Sequence, residues 1–186
     1  MATVTKHLTL EQFLELPERK PALEFEVGRI TQKVSPKQRH SRLQSKLAEV
    51  FNVMGEPARL ALALTELRET YAGRSYVPDV SVFTWDRIQR DEDGEPIDDV
   101  FVPPDIAIEI RSPRQRLDGL IERCRWYVGN GVRLALLVDP IRRCVILFLP
   151  GQEPEELRDN DAIEIGDLLP SFRLTVEELF ASLRIV

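Results

Sequence analysis

Pro104-Asp105-Ile106-Ala107-Ile108-Glu109-Ile110-Arg111-Ser112-Pro113 decides the fold, together with the residues that follow it. The run from Asp105 to Ile110 reads as a strand, and Ser112-Pro113 breaks it. The next residues, to about Val128, read as a helix. After Gly131 comes an apolar run, Val132 to Val138, whose centre Leu134-Ala135-Leu136-Leu137-Val138 suits a strand covered on both faces. The result is a strand-helix-strand unit. Asp139-Pro140 then turns the chain into Cys144 to Leu149, an antiparallel neighbour.

Glu109 lies between two isoleucines. Taking a carboxylate out of water costs several kcal/mol unless it is paired, hydrogen-bonded or bound to a metal. Earlier in the chain Asp79 follows Pro78 and opens a second strand-like run, Asp79-Val80-Ser81-Val82-Phe83. If these strands are neighbours the two side chains converge, and a divalent cation between them would account for both acids. Hard cations of this kind take carboxylate oxygens, backbone carbonyls and water. Each acid also has a purely structural reading. Asp79 can simply start a strand at the end of a sheet, and Glu109 can be half of an ion pair with Arg111 or Arg123.

The remaining chain supplies the rest of the architecture. Residues 9 to 17 read as a short helix capped by Thr9 and stopped at Pro17. Leu23 to Val27 alternates with period two and ends at Gly28, so a hairpin with residues 30 to 34 is expected. From Pro36 to Val53 the apolar residues Leu43, Leu47, Val50 and Phe51 recur at helical spacing. Strands are expected near Ala61 to Thr65 and Leu67 to Ala72. Residues 86 to 103 are acidic, carry Gly94 and Pro96, and read as a surface loop with at most one helical turn. Residues 150 to 174 read as irregular or short strands, and Val176 to Leu183 as a helix capped by Thr175 with Glu178 completing a capping box. The fold class is α/β: a mixed β-sheet flanked by α-helices, with an N-terminal helix and hairpin, in one domain over residues 1–186.

At 186 residues and 43% apolar content, the chain can bury a sizeable core. No apolar run approaches the roughly 20 residues of a membrane helix, and Met1 to His7 has no signal-peptide core. A cytoplasmic protein with no membrane partner is expected. Cys124 and Cys144 are too few and too far apart for a zinc knuckle or a disulfide framework, and read as core residues. The net charge of -6 argues against a nucleic-acid partner until its distribution is read. Residues 86–99 hold seven acids against two arginines, and residues 150–167 hold seven against one, so the rest of the chain is net positive. Lys33, Lys37, Arg39, Arg42 and Lys46 fall in an acid-free stretch. Arg111, Arg114, Arg116, Arg123 and Arg125 outnumber Asp118 and Glu122 in another. Both segments read either as phosphate-contacting surfaces or as solvated helix faces.

Pro78-Asp79 on one strand and Glu109-Ile110-Arg111 on a later one resemble the signature of the PD-(D/E)xK nuclease superfamily. Other stretches narrow the likeness: Thr9-Leu10-Glu11-Gln12-Phe13, Glu24 ahead of Gly28, Ser35-Pro36 followed by His40, and Ser112-Pro113. Arg123, Tyr127, Gly131-Val132 and Val138-Asp139-Pro140 continue it. From about residue 9 to about residue 150 the chain is similar to the Uma-two family of restriction-endonuclease-like proteins. The resemblance implies a restriction-endonuclease-like fold and a metal-dependent endonuclease that hydrolyses phosphodiester bonds of nucleic acid, DNA in the first instance, with Mg2+ or Mn2+ as cofactor. It implies Asp79, Glu109 and the Ile110 carbonyl as metal ligands, and Glu24 as an outer ligand or water-orienting group. Arg111 and Arg123 complete the implied catalytic set. Lys33, Lys37, Arg39, His40, Arg42, Lys46 and Arg114 are the candidate nucleic-acid contacts, although His40 also reads as a surface histidine and Glu24 as solvent-exposed. A homodimer is expected, because two strands must be cut. The alternative on the same fold is a catalytically inactive nucleic-acid- or protein-binding scaffold in which an arginine pairs with Glu109.

One departure from the superfamily pattern stands out. Its signature lysine falls at Arg111 here, and the lysine that many Uma-two members carry on the following helix falls at Arg123. Arginine stays protonated and can clamp a phosphate, but it cannot act as a base. If the lysine's chemistry is required, Lys33, Lys37 or Lys46 must supply it.

Overall fold

The computed structural model describes residues 8–170 and 172–185, so the polar start from Met1 to His7 lies outside the described residues. The first helix, α1 (Leu10–Leu14), begins at the N-cap expected of Thr9, which Gln12 completes into a capping box, and ends before Pro17. The hairpin β1 (Leu23–Glu26) and β2 (Arg29–Gln32) turns through Val27 and Gly28, both at positive φ, as a two-residue hairpin turn demands. Helix α2 (Gln38–Gly55) follows, then β3 (Ala61–Thr65).

The segment expected as one strand near Leu67 to Ala72 is instead the start of a second hairpin. It is formed by β4 (Glu69–Tyr71) and β5 (Arg74–Tyr76), around Ala72 and Gly73 at positive φ. This hairpin leaves the main sheet. β5 pairs with β1, giving a small four-stranded sheet in the order β2-β1-β5-β4. Asp79 then precedes β6 (Val80–Thr84), and the acidic loop that follows contains no helical turn.

The strand-helix-strand unit takes the form β7 (Ile106–Ile110), α3 (Leu117–Gly129) and β8 (Leu134–Asp139), with β7 and β8 parallel. β9 (Cys144–Phe148) and β10 (Glu155–Arg158) extend the sheet antiparallel. A single 3-10 turn at Gly166–Leu168 and α4 (Val176–Ala181), with its Thr175/Glu178 capping box, complete the described chain. The larger sheet therefore runs β10-β9-β8-β7-β6-β3 and is mixed.

Alternation along the central strands divides the core in two. Ile106, Ile108 and Ile110 of β7, with Leu134, Leu136 and Val138 of β8, meet Leu43, Leu47, Val50 and Phe51 of α2 and the apolar side of α4. Ala107, Ala135 and Leu137 face the other way, toward Leu120, Cys124 and Tyr127 of α3. Both cysteines are buried and free. Among the described residues, no helix is long and apolar enough to cross a membrane.

Candidate active site

The sheet topology delivers the two acids to one place. β6 and β7 are antiparallel neighbours, with Val80 opposite Ile108, so the same register carried one residue further sets Asp79, just before one strand, opposite Glu109 near the end of the other. The Asp79 N–H donates to the Ile108 carbonyl at 3.1 Å, and Asp79 Oδ2 accepts from the Ile110 N–H at 2.7 Å. Gln44 of α2 donates to the Asp79 carbonyl at 2.8 Å. Asp79 is thus fixed on three sides, and both it and Glu109 are buried.

A lysine stands against Asp79, and it comes from neither of the two arginine slots. Lys33, one residue past β2, places Nζ 2.7 Å from Asp79 Oδ1, 2.8 Å from the Val77 carbonyl and 3.2 Å from Glu66 Oε1. Burial works against the ammonium, but the charges of Asp79 and then Glu109 outweigh it and hold Lys33 well above its ordinary pKa. His40 adds a second contact, with Nε2 3.2 Å from Asp79 Oδ1 and Nδ1 3.3 Å from Ser112 Oγ. Burial disfavours the charged Asp79, yet His40 and Lys33 together keep its carboxyl below the usual range. His40 is therefore an inward residue of α2, in contrast to the surface histidine its sequence position also allowed.

Glu109 points to the α3 side. Its Oε1 accepts from Tyr127 Oη at 2.7 Å and lies 3.4 Å from an Arg123 nitrogen, whereas Oε2 takes no hydrogen bond from the described residues. Burial pushes Glu109 up to about 7, with Arg123 and Lys33 opposing and Asp79 and Glu24 adding to the rise. Arg123 is itself held by Glu24 in a two-point fork, at 2.9 and 2.7 Å, and lies 4.4 Å from the centre of the Tyr76 ring. Glu24 also accepts from the Val77 N–H at 3.1 Å. Its period-two flanks suggested solvent exposure, but pairing of β1 with β5 turns it inward.

The other charged residues separate from this cluster. Arg111 donates to Asp139 at 2.8 Å and to the Gln115 carbonyl at 3.2 Å, and is not in contact with Glu109. Lys37 and Arg39 are exposed at the start of α2, on the helix that turns His40 inward. Arg42 donates to the Ser182 carbonyl, Lys46 pairs with Glu49, and Arg114 is exposed beyond β7. Sequence reading gave Gln44 no role and quoted Tyr127 only as part of a family pattern. Gln44 follows His40 by one helical turn, which is the signal that places both on one face of α2.

The chain matches the Uma2 family, described as "putative restriction endonuclease", over residues 10–177. It belongs to that family. Within the solved structures, it is similar to a crystal structure from Anabaena variabilis described as a "putative nuclease belonging to DUF820". The two are 36% identical, with 95% of this chain and 99% of that chain covered and a TM-score of 0.92. The restriction-endonuclease-like, mixed α/β architecture follows from this match. No curated protein matches the chain.

Membership of a nuclease-type family raises the question of a metal. Among the described residues, no three His, Cys, Asp or Glu side chains gather closely enough to cage an ion. A divalent ion held here would have to draw on one or two carboxylates, with water and substrate phosphate completing its shell. Asp79 and Glu109, the latter with one oxygen free of protein donors, are of that type.

Proposed function

We propose that the chain is a nuclease that hydrolyses phosphodiester bonds, with DNA the favoured substrate, at the pair Asp79 and Glu109. The observation that carries this reading is the position of Lys33, whose ammonium lies 2.7 Å from a buried carboxylate one strand away from a second buried carboxylate. Two acids and a lysine are the parts a phosphodiesterase of this superfamily needs, and here the lysine arrives on the N-terminal hairpin. Asp79, Glu109 and the Ile110 carbonyl would hold Mg2+ or Mn2+. When bound, the ion supplies Lewis acidity at the phosphate.

The chain's own residues do the rest. Lys33 stays cationic and offsets charge on the phosphate oxygens as the attacking water adds. His40 and the Ile110 N–H keep Asp79 ionised and fixed in orientation. Glu24 holds Arg123 so that its guanidinium stays beside Glu109, and Tyr127 orients the Glu109 carboxylate by a hydrogen bond. Exposed Lys37, Arg39 and Arg114 lie where the flanking backbone of a nucleic acid would pass. The protein acts in the cytoplasm, and a homodimer fits the need to cut two strands.

The test is cleavage of DNA and RNA substrates in Mg2+ and Mn2+ by wild type, Asp79→Asn and Glu109→Gln. Activity that needs the metal and is lost in both variants, with melting temperatures retained, is expected. Undiminished cleavage in Glu109→Gln would remove the proposed site. A second reading, a non-catalytic scaffold, is favoured by the Arg123 fork on Glu24 and its contact with Glu109. Under it, Glu109→Gln shifts thermal stability and no substrate is cut by any form.

A further inference from the structure

Lys33 as it stands has no N–H free for a phosphate. An ammonium carries three donors, and here they meet three acceptors: Asp79 Oδ1 at 2.7 Å, the Val77 carbonyl at 2.8 Å and Glu66 Oε1 at 3.2 Å. The Gln44 amide carries two. It donates to the Asp79 carbonyl at 2.8 Å and to the same Glu66 Oε1 at 3.0 Å. If Lys33 is to offset charge on a substrate, one of its acceptors has to leave.

Glu66, just past β3, is the acceptor able to do so. The Asp79 side chain is 3% exposed and that of Glu66 is 45% exposed. Its contact with Lys33 is the longest of the three, and Asp79 and Glu109 do more than Glu66 to hold the ammonium charged. Water screens an ion pair of this exposure and leaves it weak. Glu69, three residues on at the start of β4, is a different kind of acid. It is fully buried, with neither oxygen in a hydrogen bond of normal geometry among the described residues, and lies out of a substrate's reach.

A groove of about 1490 Å3 borders the Glu66 contact. Lys33, Gln44, Glu66 and Val77 gather in one part of its wall, and Arg19, Lys20 and Phe101 line other parts. Asp79 and Glu109 are buried, so a phosphate approaching them from this groove meets Lys33, Gln44 and Glu66 first. A single oxygen of Glu66 accepts from both donors. One non-bridging phosphate oxygen can therefore take its place without either donor moving.

We propose that the Lys33 ammonium and the Gln44 amide form the seat of a substrate phosphate oxygen, and that Glu66 fills this seat as a stand-in until a nucleic-acid phosphate displaces it. The proposal rests on the nuclease reading for the identity of the phosphate. It gives Glu66 control over how tightly substrate binds, a role separate from the chemistry at Asp79 and Glu109.

Fluorescence anisotropy of a labelled DNA duplex in EDTA, where no metal-dependent cleavage competes, tests it with wild type, Glu66→Asn and Asp98→Asn. Asn removes the charge, is one methylene shorter, and tolerates the positive φ of 55° at this position. Asp98 lines the groove but is not among the three acceptors of Lys33, so its variant reports the general effect of removing one negative charge. Glu66→Asn should bind about fivefold tighter than wild type, and Asp98→Asn by about twofold or less. With Mg2+ present, kcat/KM of Glu66→Asn should rise by the same factor as its affinity.

Equal gains in the two variants, or weaker binding in Glu66→Asn, overturn the seat; metal-dependent cleavage that needs Asp79 and Glu109 then leaves the nuclease reading in place. A fall in kcat/KM despite tighter binding puts Glu66 in the chemistry and overturns the stand-in role. Tighter binding in Glu66→Asn with no cleavage by any form upholds the seat and moves the protein to the scaffold reading. No binding of the duplex by any form overturns both.

Discussion

Replacing Glu69 by Gln in metal-free buffer should stabilise the protein at alkaline pH and leave it almost unchanged in acid. The size follows from burial. A carboxyl whose pKa rises from 4.5 to about 8 on folding carries on the order of 5 kcal/mol of linkage, at about 1.4 kcal/mol per pH unit. The folded value is raised, so the folded protein holds the proton more tightly than the unfolded chain. Stability is therefore full below pH 4.5, falls as pH climbs to about 8, and is level beyond. Gln mimics the protonated acid and has no charge to bury, so the variant escapes this loss. Chemical denaturation of both proteins from pH 5 to pH 9 in EDTA measures the difference. The gap should open from near zero to several kcal/mol, or about 10 °C or more in Tm for a chain of this size. Glu109 titrates in the same window but is present in both proteins, so its contribution largely cancels. Parallel stability curves would refute the assignment of Glu69 as an unpaired buried acid.

Lys33→Met leaves the Asp79 carboxylate with only His40 and the Ile110 N–H beside it and should cost about 3–5 kcal/mol of stability, as well as a roughly 100-fold or greater loss of cleavage, read by urea denaturation and a nicking assay. Arg111→Met should reduce stability, because Asp139 loses its partner, while cleavage per folded molecule stays at the wild-type level; a selective loss of cleavage would return Arg111 to the active site. Arg123→Met should destabilise the fold by about 3–5 kcal/mol, and adding Glu24→Leu should recover much of that, a coupling that a double-mutant cycle quantifies. Lys37→Ala with Arg39→Ala should weaken nucleic-acid binding in proportion to salt, lowering the slope of log affinity against log salt by about 2 without changing Tm.

The centre of the fold was legible because its signals are long and punctuated. Ile106–Ile110 and Leu134–Asp139 are strands dense in apolar residues, and Pro113 and Gly131 mark the boundaries of the crossover. The small sheet was not legible. β4 and β5 are three residues each, too short for alternation to show, and the turn between them is Ala72-Gly73, which lacks an Asn or Asp signal. The same gap hid Glu69. Glu109 drew notice because isoleucines flank it, whereas Glu69 lies between Arg68 and Thr70 and looks solvated. Burial of a charge can be inferred along a strand from its neighbours, but not when the burying surface comes from a different sheet.

That second sheet also explains why Lys33 could be named as one of three candidates and no further. The lysine is one residue past β2, with its N–H donating to the Ala22 carbonyl at 2.9 Å, so the hairpin continues through it. β1 pairs with β5, and β5 leads directly into Val77-Pro78-Asp79. The four-stranded sheet thus works as a bracket: it carries Glu24 to Arg123 and Lys33 to Asp79, and joins both to the end of the larger sheet. A lysine two residues after Glu109 or on α3 is recognisable by spacing along the chain. A lysine presented by the hairpin is recognisable only once the pairing of β1 with β5, Phe25 opposite Ser75 and Glu26 opposite Arg74, is known. Arginine at positions 111 and 123 is consistent with this arrangement. One pairs with Asp139, the other holds the two glutamates, and the ammonium beside Asp79 comes from elsewhere in the chain.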